Sequence, residues 1–260
     1  MMIGPREIDE RFQGGLDETV WTAAYLPAWS SREAAAATYE VQPDGLHLAI
    51  PPEQPLWCPD LHEVPLRVSA VQSSNWSGPV GSSRGQQPFR EGLRVAEAQP
   101  TQLGFTPQYG YVEVTCRANI GPGSMFSAWM VGLEDEPDRC GEICLVEVFG
   151  DSIGRGERGE EVALGSGIHK FRDPALSEEF SADPCSLDVR QFHRYAVDWR
   201  LDRVDFFVDE VRTRSVGQAP DYPMQLIIGV FDFPAEAPPP PSEREFLLPE
   251  LVVGRVLGRR

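Results

Sequence analysis

The chain has 260 residues, of which 41% are apolar and 24% charged, a balance that excludes a wholly disordered protein. Its 24 glycines and 24 prolines are together about half again the average usage, which favours a turn-rich β fold over a helical bundle. The net charge of −17 repels phosphate backbones and anionic lipid, so we expect no nucleic-acid partner and no membrane partner.

The N-terminus has charges close to its start and no apolar segment behind them, so residues 1–15 show no signal peptide. We therefore expect a cytoplasmic protein, or a secreted one if a leader has been removed. Residues 1–10 are predicted to be a flexible terminus. No segment approaches the ~20 uninterrupted apolar residues that a membrane span needs.

The only helix-like stretch is SSREAAAATYE, residues 30–40. Ser30 and Glu33 match a capping box, and the four alanines that follow favour helix. The stretch is long enough for one or two helical turns, and its last residues already fit a strand.

Short runs of alternating or β-branched apolar residues predict strands along the rest of the chain. Within residues 111–118, four side chains share one face: Val112, Val114, Cys116 and Ala118. The other predicted strands are 46–50, 192–199, 203–210, 224–230 and 250–257. The proline-rich residues 234–243 cannot donate ladder hydrogen bonds and are predicted to form a surface loop. These patterns predict one all-β domain over residues 1–260, an antiparallel β-sandwich.

The five cysteines are odd in number and scattered, which is not the pattern of a disulfide framework and fits a reducing compartment. They are Cys58, Cys116, Cys140, Cys144 and Cys185. Cys140 and Cys144 have the spacing C-x3-C, but no second pair and no nearby histidine completes a zinc site. We therefore predict no metal and no cofactor.

Two glutamates carry the most informative pattern of the chain. Glu142 lies at the edge of the apolar run ICLVEVF, and Glu147 lies inside it. Burying an unpaired carboxylate is costly, so Glu147 either faces solvent on the open side of a sheet or serves a site.

Strand geometry shows what the second of these alternatives requires. Side chains alternate along a strand, so residues five apart should point to opposite faces. One extra residue in a bulge near Leu145 and Val146 would bring Glu147 back to the face of Glu142 and Cys144. The backbones would then be roughly 13 Å apart at about 3.3 Å per residue. Side chains that lean together can close that gap to the ~5–5.5 Å of a retaining glycosidase pair. One carboxylate would then attack the anomeric carbon of a sugar while the other, protonated, donates to the leaving oxygen.

The run GEICLVE, residues 141–147, resembles the active-site strand of glycoside hydrolase family 16, whose pattern is E-x-D-x-x-E. Other segments resemble further parts of the family's fold in the same order, from about residue 10 to residue 257: 16–21, 109–117, 126–129, 192–199, 204–209 and 221–224. The resemblance implies a curved jelly roll of the concanavalin A type, similar to laminarinases and lichenases. It also implies internal cleavage of a β-linked glucan or galactan with retention of configuration. By position, Glu142 matches the family's nucleophile and Glu147 its acid/base, and we expect a monomer.

The resemblance places Cys144 where the family has its middle aspartate. A thiol is a weak donor that is neutral at pH 7, so it cannot supply the charge of a carboxylate. Losing a negative neighbour lowers the pKa of Glu147 and weakens it as an acid. The chain is then either an enzyme with a changed carboxylate balance or a non-catalytic carbohydrate-binding protein of the same fold. A third hypothesis, Cys144 as the nucleophile, lacks a visible activating base.

Three further residues are predicted to contact the substrate. Trp129 can stack on a sugar ring, and Trp29 can line the cleft from an N-terminal loop. His169 lies after the motif, where the family often carries a cleft histidine. For each tryptophan the alternative is packing in the core or at the rim, and for the histidine it is a hydrogen-bonded surface or core position.

Overall fold

The computed structural model describes residues 4–156, 159–234 and 248–260. In these ranges the chain forms two short 3-10 helices, Pro27–Trp29 and Gly150–Ser152, and 17 strands. The strands are β1 (Ile8–Glu10), β2 (Thr38–Gln42), β3 (Gly45–Ala49), β4 (Arg67–Gln72), β5 (Ser74–Asn75), β6 (Gln102–Leu103), β7 (Gly110–Asn119), β8 (Ser124–Gly132), β9 (Glu142–Phe149), β10 (Gly154–Gly156), β11 (Gly159–His169), β12 (Glu179–Cys185), β13 (His193–Trp199), β14 (Val204–Val208), β15 (Val211–Val216), β16 (Met224–Asp232) and β17 (Glu250–Arg259).

Most of these strands belong to two large antiparallel sheets. The first has the order β15-β14-β13-β7-β17-β3-β2, with β1 added against β17. The second has the order β10-β11-β9-β8-β16-β4, with β12 added against β11. The prediction of an all-β antiparallel sandwich is therefore confirmed. No helix in the described ranges is long and apolar enough to cross a membrane.

The main core lies between the two sheets, and strand alternation decides which side chains enter it. On β8, Phe126, Ala128 and Met130 point into this core. Met125 and Trp129 point to the opposite face of the second sheet, where a smaller apolar cluster packs them under the N-terminal loops. The second sheet is therefore covered on both faces, and its outer face carries the candidate site.

A β-bulge interrupts β9 at the predicted place. In the pairing with β8, Ala128 lies opposite Val146 and Trp129 lies opposite Cys144, so Leu145 is an extra residue. The pairing with β11 skips the same position. Leu145 and Val146 are consecutive and both are buried in the main core. The alternation of side chains along β9 is therefore interrupted at the extra residue. The predicted bulge is confirmed.

Residues 30–40 do not form the predicted helix. Ser31, not Ser30, caps a single turn, with its Oγ accepting the N–H of Ala34 at 3.0 Å. The chain then runs beside residues 23–25, and Ala35 O accepts the N–H of Tyr25 at 2.9 Å. Burial of Ala35 and these long-range backbone bonds outweigh the helix propensity of alanine, which is small per residue.

Two terminal or loop predictions have different outcomes. The prediction of a flexible terminus over residues 1–10 is wrong for residues 8–10, which form β1 and pair with β17 through Ile8–Gly258 to Glu10–Val256. The proline-rich loop predicted at 234–243 lies, except for Pro234, outside the described residues. All five cysteines are free thiols, as expected from their scattered positions.

Candidate active site

A cleft of about 320 Å³ opens on the outer face of the second sheet. Strands β8, β9, β11 and β16 form its floor, and loops at residues 25–26, 62–66 and 87–89 contribute its walls. The floor side chains include Ser127, Trp129, Glu142, Cys144, Glu147 and Phe231. The bulge in β9 therefore brings both candidate glutamates into one cleft.

Glu142 is the more deeply buried carboxylate of the pair, with 8% of its surface exposed. The side-chain amide of Gln87 donates a hydrogen bond to its Oε1. Burial raises the pKa of Glu142 well above its usual range; the Gln87 bond opposes this shift, and the charges of Glu147 and Glu134 add to it. A nucleophilic carboxylate has to be ionised, so burial works against that role and the Gln87 donor works for it.

Glu147 is partly exposed and its carboxylate accepts no hydrogen bond from the described residues. Burial raises its pKa, and the nearby His169 partly opposes this shift. Its carboxyl group is therefore protonated up to a higher pH than an ordinary glutamate, and it is free to donate to a ligand in the cleft. Both properties suit a general acid.

Cys144 lies between the two glutamates on the same face. Its Sγ is 4.0 Å from Ser127 Oγ. Burial raises the pKa of the thiol well above its usual range, and the charges of Glu147 and Glu142 raise it further. The thiol is therefore neutral, which agrees with the expectation that it supplies no charge and removes the basis for a nucleophilic role.

Comparisons with known proteins decide the family of the chain. Residues 101–238, more than half of the sequence, match the glycosyl hydrolases family 16. This chain belongs to that family.

Relatives of this family 16 protein share its fold at low sequence identity. Over 131 residues it is 29% identical to a Crh-like protein from Arthroderma benhamiae, a match that covers 48% of this chain and 25% of that protein. The GlcNAcα1-4Gal releasing endo-β-galactosidase from Clostridium perfringens has a TM-score of 0.78 at 22% identity, covering 96% of this chain and 60% of that one. The laminarinase catalytic domain from Thermotoga maritima has a TM-score of 0.60 at 15% identity, covering 99% and 98%. These similarities establish the jelly-roll sandwich. The chain thus spans a quarter of the Crh-like protein and three-fifths of the endo-β-galactosidase.

The family 16 cleft also holds a third carboxylate, which is buried and which the sequence did not single out. Glu134, 6% exposed, accepts the backbone N–H of Gln87 at 2.7 Å and forms an ion pair with Arg172 at 2.9 Å. Burial raises its pKa to about 7, against the opposing effects of the Gln87 bond and Arg172. In the sequence Glu134 is one of several acids in the loop EDEPD, and nothing in that pattern distinguishes it from its neighbours.

The two predicted tryptophans have different positions in this family 16 fold. Trp129 lines the cleft, with 7% of its surface exposed and its ring packed between Tyr25 and Phe231 at centroid distances of 6.3 and 6.0 Å. Trp29 does not line the cleft and is 1% exposed. Its Nε1 donates to Gln86 O at 2.8 Å. The prediction of direct sugar contact by Trp29 is therefore wrong, because the ring is buried beneath the loop that forms the cleft wall.

His169 lines the cleft beside the candidate pair, opposite Glu142 in the ladder of β9 and β11. Its Nδ1 is 2.6 Å from Glu178 Oε1, and its ring stacks on Phe180 at 4.2 Å. The ring is thus fixed in orientation while its other face remains part of the cleft. In the described parts of the chain, no group of three or more His, Cys, Asp or Glu side chains is placed to hold a metal ion.

Proposed function

We propose that this protein is a retaining, endo-acting glycoside hydrolase on a β-linked polysaccharide, with Glu142 as the nucleophile and Glu147 as the general acid/base. The observation that carries the proposal is the extra residue Leu145, which turns both glutamates into one cleft of a family 16 chain. Without that residue, strand alternation would separate the two carboxylates by the thickness of the sheet.

The chemistry consists of two displacements at the anomeric carbon. In the first, the ionised carboxylate of Glu142 attacks that carbon while the carboxylic acid of Glu147 donates its proton to the glycosidic oxygen. The bond from carbon to oxygen breaks, and a covalent glycosyl ester forms on Glu142. In the second, the carboxylate of Glu147 takes a proton from water, whose oxygen attacks the anomeric carbon and releases Glu142. Two inversions give net retention.

Charge and cleft composition support a neutral polysaccharide of the β-glucan or galactan class. The net charge of −17 and the acids of the cleft repel sulfated polymers. Aromatic side chains line the floor and walls of the cleft, and such side chains suit the C–H surfaces of pyranose rings: Trp129, Phe231, His62 and Phe89. A neutral polymer therefore suits both the charge and the aromatic lining of the cleft.

Reducing-end release from laminarin, lichenan, agarose and xyloglucan tests the proposal. We expect the wild type to cleave at least one of these polymers, and Glu142→Gln and Glu147→Gln to lose activity by a factor of at least about 10³, because each removes a group that acts in the transition state. Glu136→Gln is the matched control, since Glu136 is an exposed loop residue outside the cleft. Unchanged turnover by either cleft variant would refute the assigned role. Chromatography of the products shows whether water or a second sugar accepts the glycosyl group.

Azide distinguishes the two roles. In Glu142→Ala, azide replaces the nucleophile in a single displacement and yields an α-glycosyl azide. In Glu147→Ala, the covalent intermediate still forms on Glu142 with an activated leaving group, and azide then yields a β-glycosyl azide. The opposite stereochemistry in the two variants would exchange the assigned roles.

A second candidate is a non-catalytic carbohydrate-binding protein of the same fold. Its motivation is the neutral, buried thiol of Cys144, which we take to stand at the family's middle aspartate. Binding of an oligosaccharide by calorimetry, with no reducing ends released by either the wild type or Cys144→Asp, would favour this candidate. Cleavage by the wild type excludes it.

A further inference from the structure

Gln87 connects two buried carboxylates across the cleft wall. Its backbone N–H donates to Glu134 Oε1 at 2.7 Å, and its side-chain amide donates to Glu142 Oε1. In the described residues, Glu142 has no other side-chain or backbone donor to its carboxylate. Cys144, its neighbour on the strand face, is only a weak donor. The hydrogen bonding of Glu142 therefore depends on one residue, which comes from a loop 55 positions away in the sequence.

The backbone of Gln87 is held in an unfavourable conformation. Its φ of 45° lies in the left-handed region, which costs a non-glycine residue free energy unless the surroundings impose it. Hydrogen bonds to Gln86 and to Gln87 itself hold the backbone in this conformation. The indole of Trp29 holds Gln86 O at 2.8 Å, and the N–H of Trp76 donates to Gln86 Oε1 at 3.2 Å. Glu134, itself paired with Arg172, holds the N–H of Gln87.

The orientation of the Gln87 amide matches an ionised partner. Its N–H faces Glu142, while its own Oε1 is buried with no hydrogen-bond partner in the described residues. An amide donor stabilises a carboxylate more than a carboxylic acid, because hydrogen bonds to charged acceptors are the stronger ones. The amide of Gln87 thus donates to the carboxylate of Glu142 and leaves its own Oε1 without a hydrogen bond in the described residues.

We propose that Gln87 is a positioning residue that stabilises the ionised form of Glu142 and aims it at the anomeric carbon, an inference that rests on the proposed function. It opposes the burial and the like charges, which together favour the protonated form of Glu142. The titratable and charged groups around Glu142 are Tyr25, Glu134, Cys144, Glu147, His169, Arg172 and Glu178. Arg172 neutralises Glu134, so that this acid anchors Gln87 while adding less repulsion to Glu142.

The test compares Gln87→Met with Gln87→Lys. Methionine keeps the length of the side chain and removes the donor, so the acid limb of the kcat/KM profile should move up by about one to two pH units, with kcat falling near the former optimum. Lysine supplies an N–H donor and a positive charge, so the acid limb should return to the wild-type pH or below. Gln191→Met is the matched control, because Gln191 is exposed and lies on the loop before β13, outside the cleft. A merely structural role would not be rescued by lysine.

A second readout does not need turnover. The 13C chemical shift of the Glu142 carboxyl group follows its ionisation directly, and Glu142→Gln assigns the signal. We expect the titration midpoint of Glu142 to be higher in Gln87→Met than in the wild type, and lower in Gln87→Lys than in Gln87→Met. The far-UV circular dichroism should be unchanged in both variants. Equal midpoints in the wild type and Gln87→Met overturn the inference, whether or not the protein cleaves a polysaccharide. If the wild type shows no turnover but the midpoint still shifts in Gln87→Met, the proposed function is overturned and the hydrogen-bonding role of Gln87 is not.

Discussion

Glu142 and Glu147 are five positions apart on one strand and still line the same cleft, because Leu145 is an extra residue between them. Leu145 and Val146 both enter the core between the sheets, so the parity of the strand changes once within the motif. The candidate active site therefore depends on a feature of the backbone as well as on the identity of the two acids.

Deleting Leu145 tests this dependence. Strict alternation would then direct the carboxylate of Glu147 toward the apolar core, where an unpaired charge is strongly destabilising. We expect loss of polysaccharide cleavage and a large fall in the free energy of unfolding, measured by urea denaturation. Leu145→Ile is the control, because it keeps the bulge and the side-chain volume and should cost less than about 1.5 kcal/mol. A deletion variant that retains activity would contradict the role of the bulge.

Cys144→Asp should change the pH dependence of catalysis in a defined direction. A carboxylate at position 144 adds a negative charge beside Glu147, which favours the protonated form and raises its pKa. The general acid has to be protonated, so the basic limb of the kcat/KM profile should move to higher pH. Cys144→Ser, which adds no charge, should leave that limb in place. Coincident basic limbs in the two variants would show that position 144 does not act on Glu147 through its charge.

The two tryptophans are expected to respond differently to ligand. Trp129 lines the cleft and Trp29 does not. We expect Trp129→Phe to remove most of the change in intrinsic fluorescence on oligosaccharide binding, and Trp29→Phe to preserve it. Trp29→Phe should instead leave the carbonyl of Gln86 without its donor and lower the free energy of unfolding by about 1–3 kcal/mol. A lost fluorescence response in Trp29→Phe would contradict this assignment.

His47 should make stability depend on pH far from the cleft. Its Nε2 is 2.8 Å from Asp44 Oδ1 and its Nδ1 is 2.9 Å from Glu250 Oε1, which joins the β2–β3 turn to β17. Burial opposes the charge on His47, but the hydrogen bonds to Asp44 and Glu250 outweigh it and raise the pKa of the ring.

A raised histidine pKa stabilises the fold fully below the pKa of the unfolded chain, and the contribution is lost as pH rises through the higher pKa of the folded state. The difference in unfolding free energy between the wild type and His47→Gln should therefore be largest near pH 5 and shrink toward pH 9. His62→Gln is the control, because His62 bonds to the carbonyl of Val64 and not to a carboxylate. A difference that grows with pH would reverse the expected sign.

Several features of the fold and site follow from local physics that the sequence records directly. The alternation over residues 111–118 places Val112, Val114 and Cys116 in the core of β7, as predicted. Glu147 within an apolar run is predicted to face solvent or to serve a site, because an unpaired carboxylate is costly inside a sheet. Parity along the strand then makes a bulge the condition for Glu142 and Glu147 to share a face. Each of these inferences uses neighbours within a few residues, and each agrees with the structure.

Other features depend on contacts between distant parts of the chain, and no local pattern encodes them. The alanines of residues 34–37 have helix propensity, but backbone bonds to residues 23–25 hold them in an extended segment. Trp29 is a residue type that can stack on sugar rings, and only its burial beneath residues 85–87 shows that it does not line the cleft.

Gln87 and Glu134 become part of the site because a left-handed backbone at Gln87 aims its amide at Glu142 and its N–H at Glu134, across 55 and 47 positions of sequence. The sequence by itself therefore determined the predicted strands and the two candidate acids on one of them, since hydrophobic period and strand parity are local properties. Only the tertiary structure decided which groups surround those acids, because burial and hydrogen bonding are set by whichever loops fold over them.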